Sequence, residues 1–221
     1  MARQSDSSAT PRAPLSKERV LNAAIALADA GGIEALSMRR LARELGVEAM
    51  SLYNHVANKD AILDGIIDLV VGEIDLPSDE TDWKRAMRRS AISARDVFLR
   101  HPWACNLWMS RQAGGPARLR HGDWMLRRLR EAGFSTDLIY HAFHILESHT
   151  LGFTVQQLNF PYKEEELASL ATTFLQQLPG DEYPDLVEHV RQHLEPRHGD
   201  EGGFELGLDL ILDGLERARD I

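Results

Sequence analysis

The chain has 221 residues, 43% hydrophobic and 27% charged, with a net charge of −9. That is enough length to bury a core without covalent staples, and the composition excludes the disordered and fibrous classes. Cys105 is the one cysteine, so no disulfide can form within the chain, and no run approaches the roughly 18 uncharged apolar residues of a membrane span. The expectation is a cytoplasmic protein with no membrane partner.

Residues 1–13 are polar, lack the apolar stretch of a signal peptide, and are expected to form a disordered tail. A first helix is predicted over about Ser16–Ala30, with Val20, Ala24, Leu27 and Ala28 as its apolar stripe, Ser16 as its cap and Gly31-Gly32 as its stop. Ile33 and Leu36 in the following link can pack inward. The stretch 37–59, SMRRLARELGVEAMSLYNHVANK, then reads as two short helices around a tight turn. Ser37 stands at an N-cap position; Met38, Leu41, Ala42 and Leu45 recur at helical spacing; Gly46 sits where a left-handed cap is needed. A second short helix is predicted over about Glu48–His55, with Leu52 and Val56 on one side. Such a pair presents the exposed face of its second helix to the major groove of DNA. An ordinary helical hairpin within an all-helical core is the other reading of the same spacing.

The acidic net charge argues against a nucleic-acid partner until its distribution is considered. Residues 1–59 hold eight Lys and Arg against six Asp and Glu, and residues 60–221 hold seventeen against twenty-eight. DNA binding needs a basic face rather than a basic protein, so this balance permits it without demanding it.

Helical periodicity continues to the end of the chain. Asn58 is placed to cap a helix over about Lys59–Glu73, whose stripe is Ile62, Leu63, Ile66, Ile67 and Val70. The polar stretch Asp75–Asp82, with Pro77, breaks the pattern. Further helices are predicted over about Trp83–Arg100, Trp103–Ser110, Ala117–Glu131, Thr136–Gln157, Glu164–Leu178, Tyr183–Leu194 and Phe204–Arg217, with a loop over Pro196–Gly203. The fold class is therefore all-α: a helix-turn-helix head at 14–60 followed by a larger helical domain at 61–221. The last helix is apolar on a broad arc formed by Phe204, Leu206, Leu208, Leu210, Ile211, Leu212 and Leu215. A helix apolar on more than one face buries one side on its own core and the other on a partner, unless it is simply a central core helix.

The run LSMRRLARELGVEAMSLYNHVANKDAIL, with Gly-Val in the turn, Leu-Tyr then His-Val on the second helix and Asn-Lys opening the next, resembles the tetracycline-repressor family of bacterial transcription regulators. HTLGFTVQQ (149–157) and FELGLDLILDGLE (204–216) are similar to the C-terminal region of that family's tetracycline-repressor branch. The resemblance implies a DNA-binding head and a core domain that binds a small-molecule effector. It also implies a homodimer through a four-helix bundle made by helices of about 136–157 and 204–217 from each subunit. A twofold dimer would read a palindromic or near-palindromic operator and, as a repressor, would leave it when the effector binds.

By the same resemblance the DNA contacts fall on Arg39 and Arg40 before the turn, on Ala49, Met50, Ser51, Tyr53 and His55, and on Lys59 at the next helix's start. Tyr53 and His55 are expected at backbone phosphates, and Leu52 and Val56 point into the head. Ala49 and Met50 stand where the branch has a polar residue and a proline. Neither can form a bidentate hydrogen bond to a base, although both can touch thymine methyls.

Candidate effector-lining residues are aromatic or polar side chains among apolar neighbours: Phe98, Trp103, Trp108, His121, Trp124, His144, His149 and Phe153. The resemblance places Trp108 at the family's metal-binding histidine and Gln156 at an acidic residue that holds the metal's water shell. A tryptophan cannot ligate magnesium, so an effector other than tetracycline is expected.

His141 with His144, and His189 with His193, have spacings that can put two imidazoles on one helix face, but no cysteine or carboxylate cluster completes either set. A metal-responsive regulator, or a helical dimeric interaction module, is the alternative reading. No phosphate-cradling glycine loop, GxSxG, HExxH or CxxC occurs, so neither an enzyme nor a cofactor is expected.

Overall fold

A computed structural model of the chain describes residues 14–111, 114–160, 164–180, 182–192, 194 and 202–220. The expected N-terminal tail, His193 and residues 196–201 of the expected loop lie outside the described residues. Among those described there are eleven α-helices and one short 3-10 turn, and no strand. The chain divides between Ile67 and Asp68 into two compact units.

The first unit holds α1 (Lys17–Gly31), a 3-10 turn at Ile33–Ala35, α2 (Met38–Leu45), α3 (Ala49–Leu52) and the start of α4 (Lys59–Val71). Polar caps fix where the chain enters its helices. The Ser16 hydroxyl accepts from the Arg19 N–H at 3.2 Å, Ser37 from Arg40 at 3.3 Å, and Asn58 Oδ1 from Ala61 at 2.8 Å. Gly46 closes α2 in the left-handed region (φ 66°, ψ 38°), and the Val47 N–H reaches back to the Ala42 carbonyl at 3.0 Å. A side chain at Gly46 would meet the Cβ penalty of that region. Val20, Ala24 and Leu27 of α1 are buried together with Leu36, Leu41, Leu45, Leu52 and Val56.

The expected helix to His55 is shorter than its periodicity suggested. It ends at Leu52, and Tyr53–His55 forms a turn in which the N–H groups of His55 and Val56 both donate to the Leu52 carbonyl. Asn54 favours turns over helix interiors, and Asn58 must lie outside a helix to cap α4.

The second unit contains α5 (Trp83–Arg100), α6 (Pro102–Ser110), α7 (Pro116–Glu131), α8 (Thr136–Leu158), α9 (Glu164–Gln177), α10 (Pro184–Gln192) and α11 (Gly203–Arg219). α8 packs against α5, α6, α7 and α11, while α9 and α10 pack on each other. The core joins Trp83, Ala86 and Met87 of α5 to Trp124, Met125 and Leu129 of α7. Ile139, Ala142 and Leu146 of α8 complete it with Phe204, Leu208, Leu212 and Leu215 of α11. α11 approaches α8 closely at Gly207, where a Cβ would stand 2.7 Å from His149 Cε1.

Along the rim between α5 and α11, Arg88 pairs with Glu205 and Asp209, and Lys84 with Asp213 and Glu216. Its bond to Asp213, then that to Glu216, raises the Lys84 ammonium above its ordinary value; Lys84 in turn holds the Asp213 carboxyl low. These pairs lie near solvent and fix register more than they stabilise. Cys105 is buried, and burial pushes its thiol up to about 11.

Leu212 is fully buried at the centre of this core. Leu212→Ala is expected to destabilise the chain by about 2–5 kcal/mol, the range for emptying a packed leucine site, read as a lower urea midpoint. A loss below about 1 kcal/mol would mean that the α5–α8–α11 core does not carry the unit.

Candidate nucleic-acid interface and ligand cavity

The helix-turn-helix face is built by what it buries. Leu52 and Val56 turn into the first unit and are almost fully enclosed, which forces their neighbours outward. Met50 is 75% and Tyr53 46% exposed, although both are large and Met50 is wholly apolar. Arg39, Arg40 and Lys59 are exposed, and Ala49, Ser51 and His55 are half-buried. Tyr53 and His55 come from the turn after α3 rather than from the helix expected to carry them. The described surface thus offers cations at the edges, hydroxyls on Ser51 and Tyr53, and a methionine between them.

Lys59 lies at the first turn of α4, beside amide groups that Asn58 satisfies only in part. A helix start of this kind favours an anion.

The second unit has a cavity, open to solvent on one side, between α5, α6, α7 and α8. Its volume is about 380 Å³, part of it open to solvent. Four of the expected residues line it: Phe98 of α5, Trp108 of α6, and His121 and Trp124 of α7. The Phe98 and Trp108 rings meet edge to face at 5.8 Å, and Trp108 meets His121 at 5.7 Å.

Trp103, His144, His149 and Phe153 do not line this cavity. Trp103 is buried on another side of α6, with its ring 6.0 Å from that of His101. His144 is exposed against Tyr140. His149 and Phe153 face α11: the His149 ring stacks on Phe204 at 5.0 Å, its Nε2 lies 2.9 Å from the Phe204 carbonyl oxygen, and Phe153 packs edge-on to the same ring. The cause is the helical period. On α8 the cavity side is taken by Leu146, Glu147, Thr150 and Leu151, and residues two positions on point elsewhere.

The polar members of the cavity were the ones composition did not single out. Ser90 is only 3% exposed, and its Oγ has no hydrogen-bond partner among the described residues. Glu147 Oε1 accepts from Trp108 Nε1 at 3.3 Å. Thr150 donates to the Leu146 carbonyl at 2.9 Å. Burial pushes the His121 imidazole down to about 4, so it is neutral near pH 7. The available signal was a polar residue interrupting an apolar helix face, as Ser90 does between Met87 and Ala94.

Trp108 is held by Glu147, and no group of three His, Cys, Asp or Glu side chains placed to hold a metal occurs among the described residues. His141 and His144 are exposed around Tyr140, and His193 lies outside the described residues. No helix among the described residues is long and apolar enough to cross a membrane.

Comparison with known proteins places this geometry. Residues 20–66 match the family described as "Bacterial regulatory proteins, tetR family", and residues 76–219 match "Tetracyclin repressor-like, C-terminal domain". The chain is 32% identical over 216 residues to the HTH-type transcriptional repressor DrrR1 of Streptomyces coeruleorubidus, covering 93% of this chain and 79% of that protein. It is 31% identical to the Escherichia coli tetracycline repressor protein class C, covering 93% and 92%. Among solved structures, the Streptomyces coelicolor TetR family protein ActR in complex with actinorhodin superposes with a TM-score of 0.81 at 30% identity, covering 93% of this chain and 97% of that one. With both parts of the chain matched and a relative above 30% identity along nearly its whole length, the protein belongs to the TetR family of DNA-binding transcription regulators.

Proposed function

We propose that this chain is a homodimeric repressor that binds a palindromic or near-palindromic operator in the cytoplasm and is released from it by a small molecule other than tetracycline. The observation that carries this reading is the pairing, in one chain, of an outward-facing helix-turn-helix surface with an aromatic-lined cavity. Residues 14–60 act as the DNA-binding head and 61–221 as the effector and dimer domain. Relatives support the reading by their names: DrrR1 is a repressor, and ActR has been solved with actinorhodin and with (S)-DNPA.

At the operator, Arg39 and Arg40 reach base edges or phosphates, Tyr53, His55 and Lys59 hold phosphates, and Ala49, Met50 and Ser51 face the bases. Met50 and Ala49 contribute apolar contact with thymine methyls, so arginines and DNA shape carry more of the sequence reading. Two heads related by a twofold axis would meet successive major grooves about 34–36 Å apart.

The dimer surface is the outer side of α8 and α11. Leu206 and Leu210 are 63% and 62% exposed, one helical turn apart. On α8, Tyr140 and Ile145 are exposed beside Ser148 and Gly152, small residues that allow close helix approach. An exposed pair of leucines on α11 next to small residues on the outer face of α8 fits a four-helix bundle with a second copy.

Release follows if the effector favours a state that cannot span two half-sites. Trp108 offers no metal ligand, which speaks against a tetracycline–magnesium complex.

The function itself is tested by incubating the purified chain with sheared bacterial genomic DNA at moderate salt and sequencing what is retained. Fragments sharing an inverted repeat are expected; uniform retention that vanishes with salt would sink sequence-selective recognition. On such a fragment, Arg39→Ala is expected to cost about 1–3 kcal/mol of affinity with relaxed selectivity, and an unchanged affinity removes Arg39 from the interface. Leu206→Glu with Leu210→Glu is expected to give monomers by sedimentation and to abolish tight operator binding. A dimer that persists places the interface elsewhere.

His121 supplies a pH test. Unfolded, its imidazole titrates near 6.5; folded, at about 4. Between these values the unfolded chain binds more protons, so the contribution of His121 is fully present above pH 6.5 and is lost as pH falls towards 4, by about 3 kcal/mol in all. His121→Leu is expected to flatten that part of the stability profile in urea titrations, and parallel profiles for the two proteins would show that His121 is not held neutral.

A further inference from the structure

We propose that the effector is an aromatic organic cation, a flat apolar body bearing a protonated amine, with Glu147 as its counter-ion. The proposal rests on reading the α5–α7–α8 cavity as the effector site and goes further by naming the chemical class it admits.

Charge is the first ground. Among the described residues Glu147 is the one carboxylate in the cavity wall, and no lysine or arginine lines it. His121 brings no positive charge there, because burial keeps it neutral near pH 7. Arg118 approaches from outside the wall, and its guanidinium is already engaged, lying 4.5 Å from the Trp108 ring centroid and donating to the Arg111 carbonyl. An anionic ligand would meet the like charge of the Glu147 carboxylate, whereas a cation would meet an opposite one.

Geometry is the second. Trp108 Nε1 holds Glu147 Oε1 and so aims the carboxylate, while Oε2 has no partner among the described residues. A charge-assisted bond from an ammonium N–H can form there without breaking the tryptophan contact. Phe98, Trp108 and Trp124 give aromatic walls for a flat body and π-faces for the cation. Ser90 Oγ, buried on the α5 side without a partner among the described residues, offers a hydroxyl for a second polar group on the ligand.

The test uses three probes of nearly one shape: naphthylmethylamine, protonated near neutral pH, its neutral isostere naphthylmethanol, and the anion naphthoate. Each is titrated calorimetrically into the full chain and into Glu147→Gln, without DNA. The amine is expected to bind the native chain at least about tenfold more tightly than the alcohol, with naphthoate weakest. Gln can still accept from Trp108, so Glu147→Gln should keep naphthylmethanol binding and lose the preference for the amine.

Equal binding of amine and alcohol to the native chain, or tightest binding of naphthoate, overturns the cation class while leaving the cavity as the effector site. A preference that survives Glu147→Gln overturns Glu147 as the counter-ion. Binding of none of the three by folded protein overturns the cavity reading and the proposal together.

Discussion

The second unit depends on the burial of α8. This helix runs for 23 residues and packs against four others, so its residues at 3.6 per turn must serve several surroundings at once. Ile139, Ala142 and Leu146 enter the core. Glu147 and Leu151 reach the cavity, while His149 and Phe153 meet Phe204. Tyr140, His144 and Ile145 remain outside. The two buried threonines do not break the pattern, because Thr150 and Thr154 donate to carbonyls one turn back, at 2.9 and 2.6 Å. The core, the cavity and the outer face are thus three sides of one helix. A change in its rotation or position would be felt at all three, because packed interiors shift in concert.

Aromatic side chains form much of the cavity wall. Phe98, Trp108 and His121 stand edge to face, an arrangement that favours fixed angles between rings and leaves space between them. Into this apolar setting the chain places the buried hydroxyl of Ser90, without a hydrogen-bond partner among the described residues, and the half-buried carboxylate of Glu147. Buried polar groups left unsatisfied destabilise a fold by about 1–3 kcal/mol each, so the sites where a protein keeps them are candidates for recognition. A core optimised for stability alone would have had alanine in place of Ser90.

The head solves a different problem, which is to present cations and hydroxyls to a polyanion from an acidic chain. Local charge, not net charge, governs the encounter within the Debye length of about 8–10 Å. Arg39, Arg40 and Lys59 are exposed around α3, while most of the acidic excess lies beyond residue 59. The exposed Met50 gains nothing from folding where it is, because an apolar side chain 75% exposed buries little area.

By itself the sequence determined the all-α class, the helix-turn-helix and nearly every helix end, because these follow from local rules. Ser16, Ser37, Asp82 and Ser135 each cap the helix that begins after them, and Gly46 takes the left-handed turn that only a residue without Cβ adopts freely. It also placed Phe98, Trp108, His121 and Trp124 in the region that the cavity occupies. Tertiary structure decided the rest. Periodicity says which residues share a face but not which neighbour that face meets, so His149 and Phe153 went to α11 and Glu147 and Ser90 to the cavity. The short α3 was settled by the turn at Tyr53–His55, whose His55 amide bonds the Leu52 carbonyl instead of continuing the helix. The state of His121 was decided by burial, a property of the packed unit that no window of sequence contains.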